Sequence, residues 1–152
     1  LGSFHGYTLD YFHRVMQMPE AMFGLSDGGA HCGVIADAGM PSYVMSFWGR
    51  DRTQGEKLPL EFLVNKLTRD TAEVYGMPDR GLLAPGLKAD INVIDFDALE
   101  LRRPEAVYDL PMGGKRLIQR VDGYRHTIKS GEVTFENGAH TGALPGLLVR
   151  GG

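Results

Sequence analysis

The sequence predicts an α+β chain, an α/β piece followed by a small β-rich unit. Three observations carry this expectation. The apolar run Ala21-Met22-Phe23-Gly24-Leu25 stops at Ser26-Asp27-Gly28-Gly29-Ala30-His31, the pattern of a strand buried on both faces that ends in a sharp turn. Residues 58–75 repeat apolar side chains at helical spacing. From residue 80 onward, alternating runs and tight-turn dipeptides replace that periodicity.

Composition sets the outer bounds. The 152 residues are 43% hydrophobic and 23% charged, enough apolar content to fold. Sixteen basic residues face 19 acidic ones, a net charge of −3, and no basic stripe is present. Nucleic acid and anionic membranes are therefore not expected as partners. The single cysteine, Cys32, excludes an internal disulfide. No apolar run reaches membrane-spanning length and the first residues do not read as a signal peptide, so the expected location is cytoplasmic. The chain opens on Leu1-Gly2-Ser3-Phe4-His5-Gly6 without a methionine, and its first strand is already the one that leads to Asp27. It reads as beginning partway through a fold.

In chain order, residues 7–18 read as a helix with Thr8 as N-cap, Leu9, Phe12, Val15 and Met16 on one face, and Pro19 as its stop. His13 lies off that stripe and reads as a surface residue, while His5 sits in a Gly-flanked loop. The strand Ala21–Leu25 and its loop follow. Residues 32–55 are broken by glycine and proline, with a short helix expected over Pro41–Trp48 and Pro41 in its first turn. Met40, Tyr43, Met45, Phe47 and Trp48 read individually as core, although some can line an apolar pocket.

Leu60, Leu63, Val64, Leu67, Thr71, Val74 and Tyr75 then trace one helix face. Pro59 suits its start, Thr68 can cap a second segment, and Gly76 with Pro78 marks the stop. Gly81–Ala84 reads as a short strand entering a type II turn at Pro85-Gly86. Ala89–Phe96 reads as a strand with Ile91 and Val93 on one face. Residues 97–123 are weakly patterned, with a strand expected around Leu117, Ile118 and Val121. Two β-rich runs around Ser130-Gly131 form a hairpin. Residues 138–146 read as loop, and Leu147–Arg150 as an edge segment.

The chemistry in this pattern centres on Asp27. A carboxylate at the carboxyl end of a strand stands where α/β folds put catalytic groups, and flanking glycines leave a ligand room to approach. Asp-Gly is equally ordinary turn chemistry, so at this level both readings stand. Cys32 reads as a small packed residue rather than a thiolate nucleophile. Asp90 and Asp95 flank a strand and read as turn caps or ion-pair partners.

Four stretches carry a resemblance to a known family. They are Gly24–His31, Leu58–Gly76, Gly81–Asp95, and Val133 with Gly138–Gly146 and Arg150. Together they resemble the C-terminal part of the amidohydrolase superfamily, most closely its N-acyl-D-amino-acid deacylase branch. The third stretch is shared widely across the superfamily, whereas the first and fourth point to the branch. The resemblance implies the end of an incomplete (β/α)8 metal-dependent hydrolase barrel over residues 1–79. It implies the C-terminal strands of a small composite β-sandwich over residues 80–152. A complete barrel needs about 250 residues, so most of it lies outside this chain.

The activity implied is zinc-assisted hydrolysis of an amide C–N bond in an N-acylated amino acid. By motif position Asp27 would take the proton of a metal-bound water, pass it to the leaving amine, and touch the metal weakly. Ser26 and His31 would lie on the substrate side, although His31 can equally be a loop-packing residue. The remaining zinc ligands would lie outside this chain, because His5, His13, His31, His126 and His140 show no paired ligand spacing. The 152 residues alone are thus expected to be inactive, and to self-associate through apolar surfaces that the rest of a barrel would cover. The alternatives are a non-catalytic β-rich interaction module and an inactive paralogue.

Overall fold

The computed structural model describes residues 8–24, 26–28 and 31–149. A helical layer comes first and a set of antiparallel strands second. The helices are α1 (Asp10–Met16), α2 (Met40–Tyr43), α3 (Leu60–Asn65) and α4 (Thr71–Val74). A 3-10 turn, Asp37–Gly39, leads into α2, and a π-helical segment, Val44–Asp51, continues it. A second π segment, Lys66–Asp70, joins α3 to α4. Among the described residues, no helix is long and apolar enough to cross a membrane.

The strands are β1 (Ile91–Ile94), β2 (Glu100–Leu101), β3 (Glu105–Leu110), β4 (Gly114–Ile118), β5 (Val121–Asp122), β6 (Tyr124–Lys129), β7 (Glu132–Glu136) and β8 (Ala139–His140). One antiparallel sheet has the order β1-β6-β7-β8, while β2 pairs β5 and β3 pairs β4.

The helices cohere because their apolar faces meet. Val44, Trp48, Leu58 and Leu63 form a buried cluster, with Leu9, Met16, Phe23, Met40, Phe47, Phe62 and Leu67 packed against it. Leu63 is fully buried, and so is Leu99 in the β unit. Arg50 ties the two layers together. Its guanidinium donates to the carbonyls of Phe96, Asp97 and Leu99, the last at 2.7 Å, and lies over the Phe96 ring. Ser42 Oγ and the Tyr124 hydroxyl add a 2.9 Å hydrogen bond from α2 to β6.

Several expectations hold. The β6–β7 hairpin turns at Ser130-Gly131, both with positive φ (53° and 86°), the geometry that suits the twist of paired strands. Leu87 N–H donates to Ala84 O and Gly86 has φ 87°, as a type II Pro-Gly turn requires. Helix α4 ends in a Schellman pair: Gly76 N–H donates to Glu73 O and Met77 N–H to Ala72 O.

Others are corrected. Ala21–Gly24 forms no strand, and Leu25 lies outside the described residues. A strand exists through its ladder, and every strand among the described residues lies beyond residue 90, where none reaches this segment. Phe23 faces the core while Met22 and Gly24 are exposed, so the run is not buried on both sides. Gly81–Ala84 also lacks strand pairing.

Leu9 (φ 63°), not Thr8, occupies the N-cap position of α1, though the Thr8 hydroxyl accepts from Asp10 N–H at 3.4 Å. Thr68 caps nothing; its hydroxyl donates back to Val64 O. The π segment inserts an extra residue into that turn and rotates the face. Val74 and Tyr75, beyond the slip, consequently turn outward; ahead of it Val64 is exposed and Lys66 is buried. A bulge between Val93 and Ile94 does the same to β1, exposing Val93. β3 is an unexpected strand, and the tail contains β8 rather than only loop. Leu147–Val149 adds no edge strand.

Candidate functional site

Asp27 lies in a segment held from both sides. Its φ is 40°, a left-handed conformation that Asp and Asn tolerate better than most residues. Its side chain is exposed and, among the described residues, has no ion-pair partner. Gly28 rests on the turn that opens the α2 stretch: a Cβ there would lie 3.2 Å from Ala38 Cβ. Gly29 and Ala30 lie outside the described residues.

The chain after the loop is fastened to the β unit. His31, also at positive φ (62°), accepts from the N–H groups of Val34 and Ile35 at 2.8 and 3.0 Å, making a compact turn. Leu117 N–H of β4 donates to Cys32 O at 2.6 Å. Cys32 is a free, half-buried thiol near Arg116, whose guanidinium is paired with Asp109 at 2.7 Å through two nitrogens. Gly39 is buried against Leu101 and Gln119, and a Cβ there would lie 2.6 Å from Gln119 Oε1. A cleft of about 310 Å³ opens beside this contact, lined by Ala36, Asp37, Met40, Tyr43, Leu101 and Gln119. Burial pushes the Tyr43 phenol up, and its ring stacks on Phe47 at 5.1 Å.

The chain before the loop is held by a buried lysine. Lys66 Nζ lies 3.3, 3.5 and 3.0 Å from the carbonyl oxygens of Met18, Pro19 and Ala21. A second buried base, Arg52, donates to Thr8 O, Asp10 Oδ1 and Glu56 O and covers the Trp48 ring at 4.7 Å.

The sequence-derived site residues are only partly gathered. Ser26 is half-buried next to Asp27, and His31 is exposed just beyond it. The other histidines stand apart. His13 is half-buried against Trp48, not on the surface, with its ring tilted over the indole at 6.2 Å. His126 lies on β6 near Glu136, His140 packs its edge on Phe135, and His5 lies outside the described residues. Among the described residues, no group of three or more His, Cys, Asp or Glu side chains could hold a metal ion. The donors present therefore do not fit a zinc centre by themselves.

Asp90 and Asp95 have the structural roles expected: Asp90 accepts from Lys129 Nζ and Ser130 N–H at 2.9 Å, and Asp95 from Arg125 and Ala98 N–H. The buried bases Lys66 and Arg52 escaped sequence reasoning. A lysine three residues after Leu63 on a helix face was the available signal for the first.

Comparison with known proteins places the fold. The amidohydrolase family model matches residues 5–135. An N-acyl-D-glutamate deacylase of Alcaligenes xylosoxydans xylosoxydans is 34% identical over 102 residues, covering 67% of this chain and 19% of the relative. A crystal structure of D-aminoacylase, described as defining a novel subset of amidohydrolases, matches with a TM-score of 0.51 and 27% identity, over 68% of this chain and 19% of that one. The chain thus spans about one fifth of the length of each. Matched over most of its length by the family model, this chain belongs to the amidohydrolase family.

Proposed function

We propose that this chain is the part of an N-acyl-D-amino-acid deacylase that supplies the proton-carrying carboxylate, Asp27. The observation that carries the reading is the pinned loop. Ser26-Asp27-Gly28 presents an exposed carboxylate without a basic partner among the described residues, on backbone anchored before and after it. A carboxylate free of a fixed ion pair can accept a proton.

In this role Asp27 accepts a proton from the water that attacks the amide carbonyl. As the C–O bond forms and the C–N bond breaks, it returns the proton to the leaving nitrogen, giving a carboxylic acid and an amine; the acid's remaining proton then passes to the amine, so that carboxylate and ammonium separate with protons balanced. Gly28 lets the loop pack closely on Ala38 and so helps fix the carboxylate beside it. His31 and Ser26 flank the acceptor and contact substrate. The zinc implied by the family resemblance would need donors beyond those described, and no step is assigned to it.

The same proposal assigns residues 1–79 to the end of a (β/α)8 barrel and residues 80–152 to the C-terminal share of a β-sandwich. The helical layer before Val74 and the antiparallel strands after Asp90 support that division. Exposed Leu83, Leu147 and Leu148 support self-association when the chain is alone, and static light scattering would read it as a mass above one chain.

The function is tested with the full-length protein on matched N-acetyl-D- and N-acetyl-L-glutamate, following amine release. Release from the D-substrate is expected. Release from neither that substrate nor other N-acyl-D-amino acids would overturn the deacylase reading.

A further inference from the structure

Lys66 is a charged group taken almost out of water. It is 5% exposed, at the start of the π segment between α3 and α4. A buried ammonium is kept only where acceptors replace its hydration. Here those acceptors are three backbone carbonyls in one short stretch, Met18, Pro19 and Ala21, with Asp70 Oδ2 at 3.4 Å. Asp70 is itself fixed by Asn65 Nδ2 at 2.6 Å, and Thr71 Oγ1 donates to Lys66 O at 2.9 Å across the π turn. The lysine, three residues after Leu63, thus points inward on the same helix face, and Asp70 places its counter-charge beside it.

What the ammonium grips is the turn that follows α1 and the first residue of the segment leading to Asp27. Only Met22, Phe23, Gly24 and Leu25 separate Ala21 from Ser26. That segment has no strand ladder among the described residues to fix its position. Phe23 in the core and Lys66 on the Ala21 carbonyl hold it in place.

We propose that Lys66 is a positioning residue for Asp27: its ammonium gathers the carbonyls of Met18, Pro19 and Ala21 and sets where the chain enters the Ser26-Asp27-Gly28 loop. The inference rests on the Asp27 reading above. It differs from a general stabilising role in a way that Arg52 makes visible. Arg52 grips the other end of α1, at Thr8 and Asp10, and among the described residues makes no hydrogen bond to the stretch that leads to Asp27.

The test uses the full-length deacylase with Lys66→Met, Lys66→Arg, Arg52→Met and Asp27→Asn, and the double variant Lys66→Met/Asp27→Asn. Turnover and amide hydrogen exchange over residues 18–28 are both measured, below the melting temperature of every variant. Lys66→Met is expected to lower kcat roughly 10- to 100-fold with little change in KM, because small misplacement of a reacting group is costly. Exchange over residues 21–28 should accelerate. Lys66→Arg keeps the charge and should recover most of the loss, and Arg52→Met should leave kcat near wild type. In the Asp27→Asn background Lys66→Met should add almost nothing, since groups acting as a unit are not additive.

An unchanged kcat in folded Lys66→Met would overturn the proposal, as would an equal loss in both backgrounds. Unchanged exchange over residues 21–28 would overturn it whatever Asp27 does. If Asp27→Asn alone keeps full turnover, the proton-carrier reading fails, and with it the catalytic purpose assigned to Lys66. If Asp27→Asn abolishes turnover while Lys66→Met does not reduce it, only the Lys66 proposal falls.

Discussion

Replacing Gly123 by alanine tests how closely the β5–β6 connection packs on the Leu99 turn. Gly123 lies between β5 and β6 with φ 95°. A Cβ there would sit 2.8 Å from Leu99 Cα, 2.9 Å from Asp95 O and 2.9 Å from Leu99 N. All three are backbone atoms, so no flexible side chain can swing aside. Asp95 N–H also donates to Gly123 O at 2.8 Å, and the same 96–99 turn is the one that Arg50 grips. Two costs follow. The left-handed backbone costs an L-residue about 1–2 kcal/mol, and the overpacking costs about 1–3 kcal/mol more.

Gly138→Ala is the matched control, because Gly138 has φ 80° and nothing within 4 Å of an added Cβ. It should show the backbone cost alone. Thermal unfolding followed by far-UV circular dichroism reads the difference. At about 2–4 °C per kcal/mol for a protein of this size, Gly123→Ala should melt about 2–12 °C below Gly138→Ala. Equal melting temperatures would refute the steric argument and the close approach of β5–β6 to the Leu99 turn.

Three further outcomes are expected. Arg52→Met removes the donors to Thr8 O and Glu56 O and should cost about 2 kcal/mol or more by chemical denaturation, since orphaned partly buried carbonyls are expensive. The Arg80 guanidinium, and then the Lys88 ammonium, hold the Asp79 carboxyl well below the usual carboxylate range. Because its folded-state pKa is depressed, its stabilisation is present above about pH 4 and lost as pH falls through the lower folded value. Asp79→Asn should therefore flatten the acid limb of a melting-temperature titration. Thr71→Val deletes the hydroxyl bonded to Lys66 O, and exchange of the amides in Lys66–Asp70 should quicken while those of β6 stay unchanged.

The sequence reveals the elements governed by local chemistry. Ser130-Gly131, Pro85-Gly86 and Gly76 announce their turns because positive φ favours a few residue types. Asn137-Gly138 carries the same signal for the β7–β8 turn (φ 47° and 80°), which replaces the expected loop.

What the sequence conceals depends on register and long-range contact. The phase slip at Lys66–Asp70 and the bulge at Val93/Ile94 each turn a predicted face around. β3 alternates too weakly to stand out, with only Val107 half-buried in Glu105–Leu110. The apolar run at Ala21 has a strand's composition but no ladder among the described residues. At the site, the glycines beside Asp27 are visible in the sequence. Its anchors are not, because Lys66 and β4 hold the chain through backbone carbonyls, which leave no side-chain pattern.

The central claim is that Asp27 carries the proton in amide hydrolysis, and the full-length protein with Asp27→Asn tests it most directly. The amide keeps the side chain's size and removes its basicity. The account predicts a kcat about 10²- to 10⁴-fold lower on an N-acyl-D-amino acid, with the melting temperature preserved. Wild-type turnover in that variant would contradict it.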